Sequence, residues 1–226
     1  MSDQSLPFVD MLRRASKRFT PATIIDVGAS DGSWSKMACG VWPKTDLVLV
    51  EGNEHFRPAL MDFGRSAKGR VRVELSLAGA THGETGAKFN TKNPYQGVEL
   101  LRADSWEASP EHESRRVRVI RLDDMTALAA DVAPYLLKLD VHGHEAMIFE
   151  GAREVLALSV AVIVEVYFWE PCTSAPKFWE LIPILARYGF RPTDICEPLY
   201  RPSDGRCAQV DMLFERTEAP GMDKWW

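Results

Sequence analysis

Three stretches of this sequence gather residues able to act on a bound ligand. The first is Asp26-Val27-Gly28-Ala29-Ser30-Asp31-Gly32, which follows the β-branched run Thr23–Val27 and precedes a segment able to form a helix. Ligands of open α/β sheets bind beyond the carboxyl ends of the strands, where glycines let backbone and ligand approach closely. The second is Glu51, closing the next apolar run and followed by Gly52-Asn53. A carboxylate about 20 positions past a glycine loop can accept two hydrogen bonds from a ribose diol. Loop and carboxylate together describe a nucleoside site. The third stretch is Lys138-Leu139-Asp140-Val141-His142-Gly143-His144-Glu145, and Glu165 closes a further apolar run.

The loop's own chemistry discriminates between nucleoside cofactors. A dinucleotide calls for G-x-G-x-x-G, so that the pyrophosphate rests on the helix N-terminus. Here Ser30 replaces the second glycine, and Asp26 and Asp31 add negative charge that phosphates would meet unfavourably. Those carboxylates suit a sulfonium and an ammonium without phosphate, which points to S-adenosylmethionine.

Asp140, His142 and Glu165 supply the remaining chemistry. A hydroxyl is a weak nucleophile until a base removes its proton, and imidazole titrates near neutral pH. A carboxylate ending a strand as apolar as VIVEVYF is either paired or used, since burying it alone is costly. The three are therefore expected to orient and deprotonate an acceptor hydroxyl. Asp140 as a helix cap, and His144 as a surface residue of the helix's first turn, are the plainer alternatives. Tyr167-Phe168-Trp169 is expected either to line an acceptor pocket or to pack in the core.

Two other chemistries are weighed. Gly28-Ala29-Ser30-Asp31-Gly32 spells G-x-S-x-G, the nucleophile elbow of α/β hydrolases, but only about one strand precedes Ser30 and no histidine follows His144. Asp123, Asp124, Asp140, His142 and His144 offer metal donors without a recognised ligand spacing, so no metal is expected. A protein that holds S-adenosylmethionine without catalysis is the alternative from another class.

These residues need a scaffold, and the hydrophobic pattern supplies it. A leading helix is expected within residues 1–20, followed by strands TIIDV, DLVLVE, RVRVELSL, VRVI, YLLKLDV, VAVIVEVYF, FRPTDI and QVDMLFER. Helices are expected after Ser33, over Glu54–Ser66, over Glu145–Leu158 and over Lys177–Tyr188. The polar stretch 81–116, with Gly83, Gly86, Pro94, Gly97 and Pro110, reads as an inserted hairpin and loop. Alternating strands and helices imply an α/β fold: a mostly parallel central sheet with helices on both faces and an antiparallel last strand.

The whole of 1–226 reads as one domain, because 226 residues fill one α/β core and not two. A net charge of -5 lacks the cationic footprint of phosphate-backbone binding, so nucleic acid is not the expected partner. Cys39, Cys172, Cys196 and Cys207 form no C-x-x-C pair, which fits a reduced, cytoplasmic setting. No apolar run is long enough to span a bilayer, and Trp225-Trp226 offers a surface for a homo-oligomer.

The chain resembles the FkbM-type methyltransferases, a branch of the class I S-adenosylmethionine-dependent enzymes. The likeness runs through D-V-G-A-S-D-G, V-E-G-N, Leu122-Asp123-Asp124, L-K-L-D-V-H-G-H-E, the following E-G-A, V-E-V-Y-F, R-P-S-D-G and Q-V-D-M-L-F, over most of Ile24–Arg216. It implies a Rossmann-like class I methyltransferase fold and O-methylation of a sugar, glycan or polyketide-like small molecule. By position it implies that Asp26, Gly28, Ala29 and Gly32 form the methionine-side loop, Glu51 the ribose ligand, and Ser76, Leu77 and Ala78 the adenine edge. Similar sequences commonly hold Glu or Gln where this chain has His142. Signatures of nucleic-acid methylation are imperfect: Asn93-Pro94-Tyr95 lacks the second proline of N-P-P-Y, and Pro171-Cys172 follows the wrong strand for cytosine-carbon chemistry.

Overall fold

Alternation along the apolar strands sends successive side chains to opposite faces, so each strand feeds two core layers at once. The computed structural model describes residues 6–67, 70–101, 110–129, 132–169 and 176–222. Its elements are α1 (Phe8–Ala15), β1 (Thr23–Val27), α2 (Ser33–Val41), β2 (Asp46–Val50), α3 (Arg57–Ser66), β3 (Val71–Glu74), β4 (Leu77–Ala78) and β5 (Gly83–Asn90). Then follow β6 (Val98–Leu101), β7 (His112–Ile120), α4 (Leu122–Ala129), β8 (Tyr135–Leu139), α5 (Glu145–Glu150), α6 (Arg153–Leu158), β9 (Ser159–Tyr167), α7 (Phe178–Arg187), β10 (Phe190–Tyr200) and β11 (Cys207–Arg216).

Seven strands form the main sheet in the order β10-β11-β9-β8-β1-β2-β3. Its strands run parallel except β11, which pairs antiparallel with both β9 and β10. This is the expected Rossmann-like methyltransferase topology. One face buries Ile25, Val27, Leu137, Leu139, Val162 and Val164 against Phe149, Val155 and Leu181 of the later helices. The other buries Ile24, Leu136 and Ile163 against Met11, Leu12, Ala38 and Leu60 of α1, α2 and α3. The leading helix is tied to the far edge by Arg14, paired with Asp194 at 2.8 Å, and by Arg18, paired with Glu215. Chain order reverses between β1 and β8, so the loops after these two strands flank a switch-point crevice.

Three elements differ from the sequence expectation. Residues expected as hairpin and loop contribute β5, β6 and much of β7 to a second, four-stranded sheet of order β4-β7-β5-β6. Ala87 and Phe89 alternate inward on β5 and meet Val117 of β7, which gives this sheet a small core of its own. RVRVELSL is not one strand: β3 stays in the main sheet, and β4 leaves it to pair with β7. The helix expected over Glu145–Leu158 breaks at Gly151-Ala152 into α5 and α6. A Cβ on Gly151 would lie 2.1 Å from the Gly79 carbonyl oxygen, so the break lets the helix pair seat against the smaller sheet. Pro171-Cys172 and Trp225-Trp226 lie outside the described residues. Among the described residues, no helix is long and apolar enough to cross a membrane.

Candidate active site

The glycine loop turns sharply out of β1. Gly28 takes a φ of 79° and donates its N–H to the Val50 carbonyl at 2.9 Å. A Cβ there would sit 2.0 Å from the Asp140 carbonyl oxygen, so only glycine allows the loops after β1 and β8 to lie this close. Glu51 straps the loop from the β2 side. Its Oε2 accepts the Ser30 N–H at 2.8 Å and its Oε1 the Asn53 N–H at 2.6 Å. Burial raises the carboxyl's pKa, and the two amides oppose that rise. Each Glu51 oxygen still has a lone pair to offer a diol.

A cavity of about 460 Å³ opens over this crevice. The main sheet contributes Gly28, Ser30, Glu51, Gly52, Asn53 and Ser76 to its wall, and the smaller sheet roofs it with Leu77, Ala78, Val98 and Leu100. The turn between β5 and β6 closes one end: Asn53 donates to the Pro94 carbonyl at 3.3 Å, and the Tyr95 ring lies 5.1 Å from Phe56. Ser30 and Ser76 carry buried hydroxyl oxygens without a hydrogen-bond partner among the described residues, and both residues line the cavity. Unsatisfied buried hydroxyls beside a free-sided carboxylate suit a ligand with ribose oxygens and ring nitrogens. The donor set therefore fits an adenosyl group.

Asp26 and Asp31 do not face this cavity, contrary to the charge argument made from sequence. Asp26 shares the β1 face of Ile24, where its Oδ2 accepts the Ser35 hydroxyl at 2.6 Å and its Oδ1 lies 3.6 Å from Lys138 Nζ. Asp31 turns to the start of α2 and accepts the Ser33 N–H at 2.9 Å. Ala29 is buried in the core, and Gly32 precedes α2 with a φ of 78°. The carboxylates that reach the cavity are Glu51, Asp140 and Glu165, with Glu84 on the roof side. Among the described residues, Ser30 Oγ has no hydrogen-bond partner, so no base is seen on it as a nucleophile elbow would need.

On the cavity wall the fold also brings Asp140, His142 and Glu165 together. Lys138, its side chain 4% exposed, holds Asp140 Oδ2 at 3.0 Å. Burial works to raise the Asp140 pKa, but Lys138 and His142 bring it below the ordinary range, so the carboxylate stays ionised. His142 has a φ of 50°; its Nδ1 lies 3.0 Å from the Tyr167 hydroxyl and 3.2 Å from Glu165 Oε2, and its Nε2 lies 3.8 Å from Asp140 Oδ1. The hydrogen bond with Glu165, offset by burial and reinforced by Asp140, pushes the imidazole up to about 9. Glu165 also accepts the Tyr167 hydroxyl and a Gln209 N–H. Among the described residues, donor atoms of Asp140, His142 and Glu165 lie within 4.8 Å of one another, a spacing that would also admit a metal ion.

The sequence assigns no particular role to Lys138, Glu145 or Gln209, and Tyr167 stands there only as a pocket-lining or core aromatic. Gln209 reaches Glu165 because it pairs opposite Tyr167 across β9 and β11. Glu145 is 1% exposed, accepts the Gly143 N–H at 3.0 Å and is pushed by burial up to about 7. His144 lines the cavity instead of standing on the surface, and burial lowers its pKa against a hydrogen bond with the Val98 backbone.

A family model described as methyltransferase FkbM domain matches residues 26–192. No curated protein matches the chain significantly in sequence. Among solved structures, the fibrillarin pre-rRNA processing protein of Methanococcus jannaschii superposes with a TM-score of 0.51 at 13% identity, over 86% of this chain and 66% of that one. An uncharacterised Listeria monocytogenes protein gives 0.49 at 12% identity, over 93% and 68% of the two chains. The precorrin-6y C5,15-methyltransferase of Geobacter metallireducens gives 0.47 at 10%, over 96% and 93%. These structural likenesses concern the fold alone. With the family match spanning the glycine loop, Glu51, the Asp140 cluster and Glu165, the chain belongs to the FkbM methyltransferase family and uses S-adenosylmethionine.

Proposed function

We propose that the protein methylates a hydroxyl of a sugar, glycan or polyketide-like small molecule, with Asp140, His142 and Glu165 acting on the acceptor. The observation that carries this reading is the convergence of those three side chains on the wall of the cavity that Glu51 also lines. S-adenosylmethionine supplies an electrophilic methyl group on a sulfonium. Gly28, Ser30, Glu51, Gly52, Asn53, Ser76, Leu77 and Ala78 line the nucleoside end, while Asp26, Ala29, Asp31 and Gly32 shape the loop from behind. Asp140 presents a fixed negative charge beside the reacting centre. His142 receives the acceptor's proton as its oxygen takes the methyl, and Glu165 holds the imidazole in place.

A base contributes roughly 10²–10⁴-fold to such a step. His142→Ala is therefore expected to lower kcat by about that factor while S-adenosylhomocysteine affinity, read by calorimetry, stays unchanged. Because His142 is pushed up to about 9, it is charged at pH 7 and gains base strength as pH rises. Wild-type kcat/KM should climb about tenfold per unit from pH 7 toward 9, and His142→Ala should flatten that climb. An unaltered profile in the variant would remove His142 from the mechanism.

Glu51→Ala removes charge-assisted hydrogen bonds worth roughly 1–3 kcal/mol. S-adenosylhomocysteine binding should weaken about 5- to 150-fold, and unchanged affinity would place the ribose elsewhere. We further propose that turnover needs no metal, since the spacing of the carboxylates and histidines along the chain matches no recognised ligand pattern. Activity should survive exhaustive chelation. Loss on chelation with recovery on added magnesium would instead make Asp140, His142 and Glu165 its ligands.

A further inference from the structure

We propose that the turn between β5 and β6, residues 91–97, is a lid over the nucleoside site, latched by Tyr95, and that the cofactor is exchanged when this turn parts from the loops beneath it. The inference rests on the cofactor site at Glu51 and is independent of the acceptor. Pro94, Tyr95 and Gly97 all line the cavity, and each bears on the loops of the main sheet. The Pro94 carbonyl accepts the Asn53 side-chain N–H at 3.3 Å, and the Asn53 backbone N–H in turn holds Glu51 Oε1 at 2.6 Å. The Tyr95 ring lies 5.1 Å from that of Phe56, a few residues past β2. The Asp31 carboxyl, past β1, is held below its ordinary range by Ser33 first and, against burial, also by Lys36 and the Tyr95 hydroxyl. Gly97 takes a φ of 59°, and a Cβ there would lie 2.4 Å from His142 Cδ2, past β8. One turn of the smaller sheet thus reaches the loops after β1, β2 and β8, which carry Ser30, Glu51 and Asp140.

The turn is built as a unit. Asn90 Oδ1 accepts the Lys92 and Asn93 N–H groups, both at 2.9 Å, and Asn90 Nδ2 donates to Gln96 Oε1 at 2.6 Å. The Asn93 carbonyl accepts the Gln96 N–H at 3.1 Å, and the Thr91 N–H goes to the Glu111 carbonyl at 2.9 Å. These bonds hold the turn to itself and to the smaller sheet. Those that cross to the main sheet are a long amide hydrogen bond, a ring pair and a polar contact, each worth a few-fold in an equilibrium constant. A rigid turn with a weak seat opens as one piece, as lids over enzyme sites do on the microsecond to millisecond scale. Tyr95 is 60% exposed, so it contributes little to the core and much of its contact area faces the seat or water.

The test is cofactor exchange by the full chain. Protein loaded with radiolabelled S-adenosylhomocysteine is mixed with excess unlabelled ligand, and loss of label is followed in time. Tyr95→Ala should release the ligand about 5- to 100-fold faster, since it removes both the ring pair and the hydroxyl. Tyr95→Phe, which keeps the ring, should fall between the variant and the wild type. Asn90→Ala loosens the turn from within and should also speed release, and all three should melt close to the wild type. An unchanged release rate in Tyr95→Ala overturns the proposal. Faster release in Tyr95→Ala with an unchanged rate in Asn90→Ala also overturns it, reducing Tyr95 to a lone contact. Weakened binding by Glu51→Ala beside unchanged release in Tyr95→Ala would sink the lid and leave the cofactor site standing.

Discussion

Gly28→Ala is expected to unseat the cofactor loop, with S-adenosylhomocysteine binding lost by two orders of magnitude or more. The added Cβ would stand 2.0 Å from the Asp140 carbonyl oxygen, which belongs to backbone and cannot swing away. The φ of 79° adds a conformational penalty of about 1–2 kcal/mol for any L side chain. Overpacking contributes about 1–3 kcal/mol more, so the variant should be destabilised by roughly 2–5 kcal/mol and its Tm lowered by roughly 4–20 °C. Gly40→Ala is the matched control. It lies in α2 with nothing within 4 Å of the new methyl, and alanine there should be neutral or stabilising by about 0.5–1 kcal/mol. Equal behaviour of the two variants in calorimetry and thermal melting would contradict the close approach of the loops after β1 and β8.

Asp140→Ala should be the most damaging change to the chemistry, lowering kcat more than His142→Ala does. Asp140 lines the cavity and is also the nearest anion to Lys138, at 3.0 Å, with Asp26 the next at 3.6 Å. Truncation leaves the buried ammonium with Asp26 as its remaining salt-bridge partner among the described residues. Breaking a fully buried pair costs about 3–5 kcal/mol, but Asp140 is itself 36% exposed, so about 1–3 kcal/mol is the expected loss of stability. Asp140→Asn keeps a hydrogen-bond acceptor for Lys138 without the charge, and should recover stability more fully than turnover. Comparable kcat in Asp140→Asn and the wild type would show that the negative charge is not used.

The parts of this fold legible in sequence are those whose burial is complete. Residues 23–27, 46–50, 135–139 and 159–167 read as strands because both faces are covered, and both faces are therefore apolar. Their order, with helical segments between, was enough to place Gly28, Glu51, Asp140 and Glu165 on one edge. The smaller sheet was illegible because its strands carry glycines and charges on an open face, and only Ala87, Phe89, Val117 and Ile120 are buried in them. Facing was illegible too. Asp26 and Asp31 have the right spacing for a ligand, yet strand parity sends one beneath the sheet and a local turn sends the other to α2. Gln209 acquires its partner Glu165 through the β9 to β11 register, which leaves no motif in the chain.

Methyl transfer from S-adenosylmethionine to an acceptor hydroxyl is tested by incubating the protein with methyl-labelled cofactor and a panel of sugars, glycolipids and polyketides. Products would be resolved by mass spectrometry and the labelled position by NMR. One class of compound should gain the label as a methyl ether, and Asp140→Ala should abolish the product while a correctly folded Gly40→Ala forms it normally. A label found on nitrogen or carbon of the acceptor, or product formation undiminished by Asp140→Ala, would contradict it.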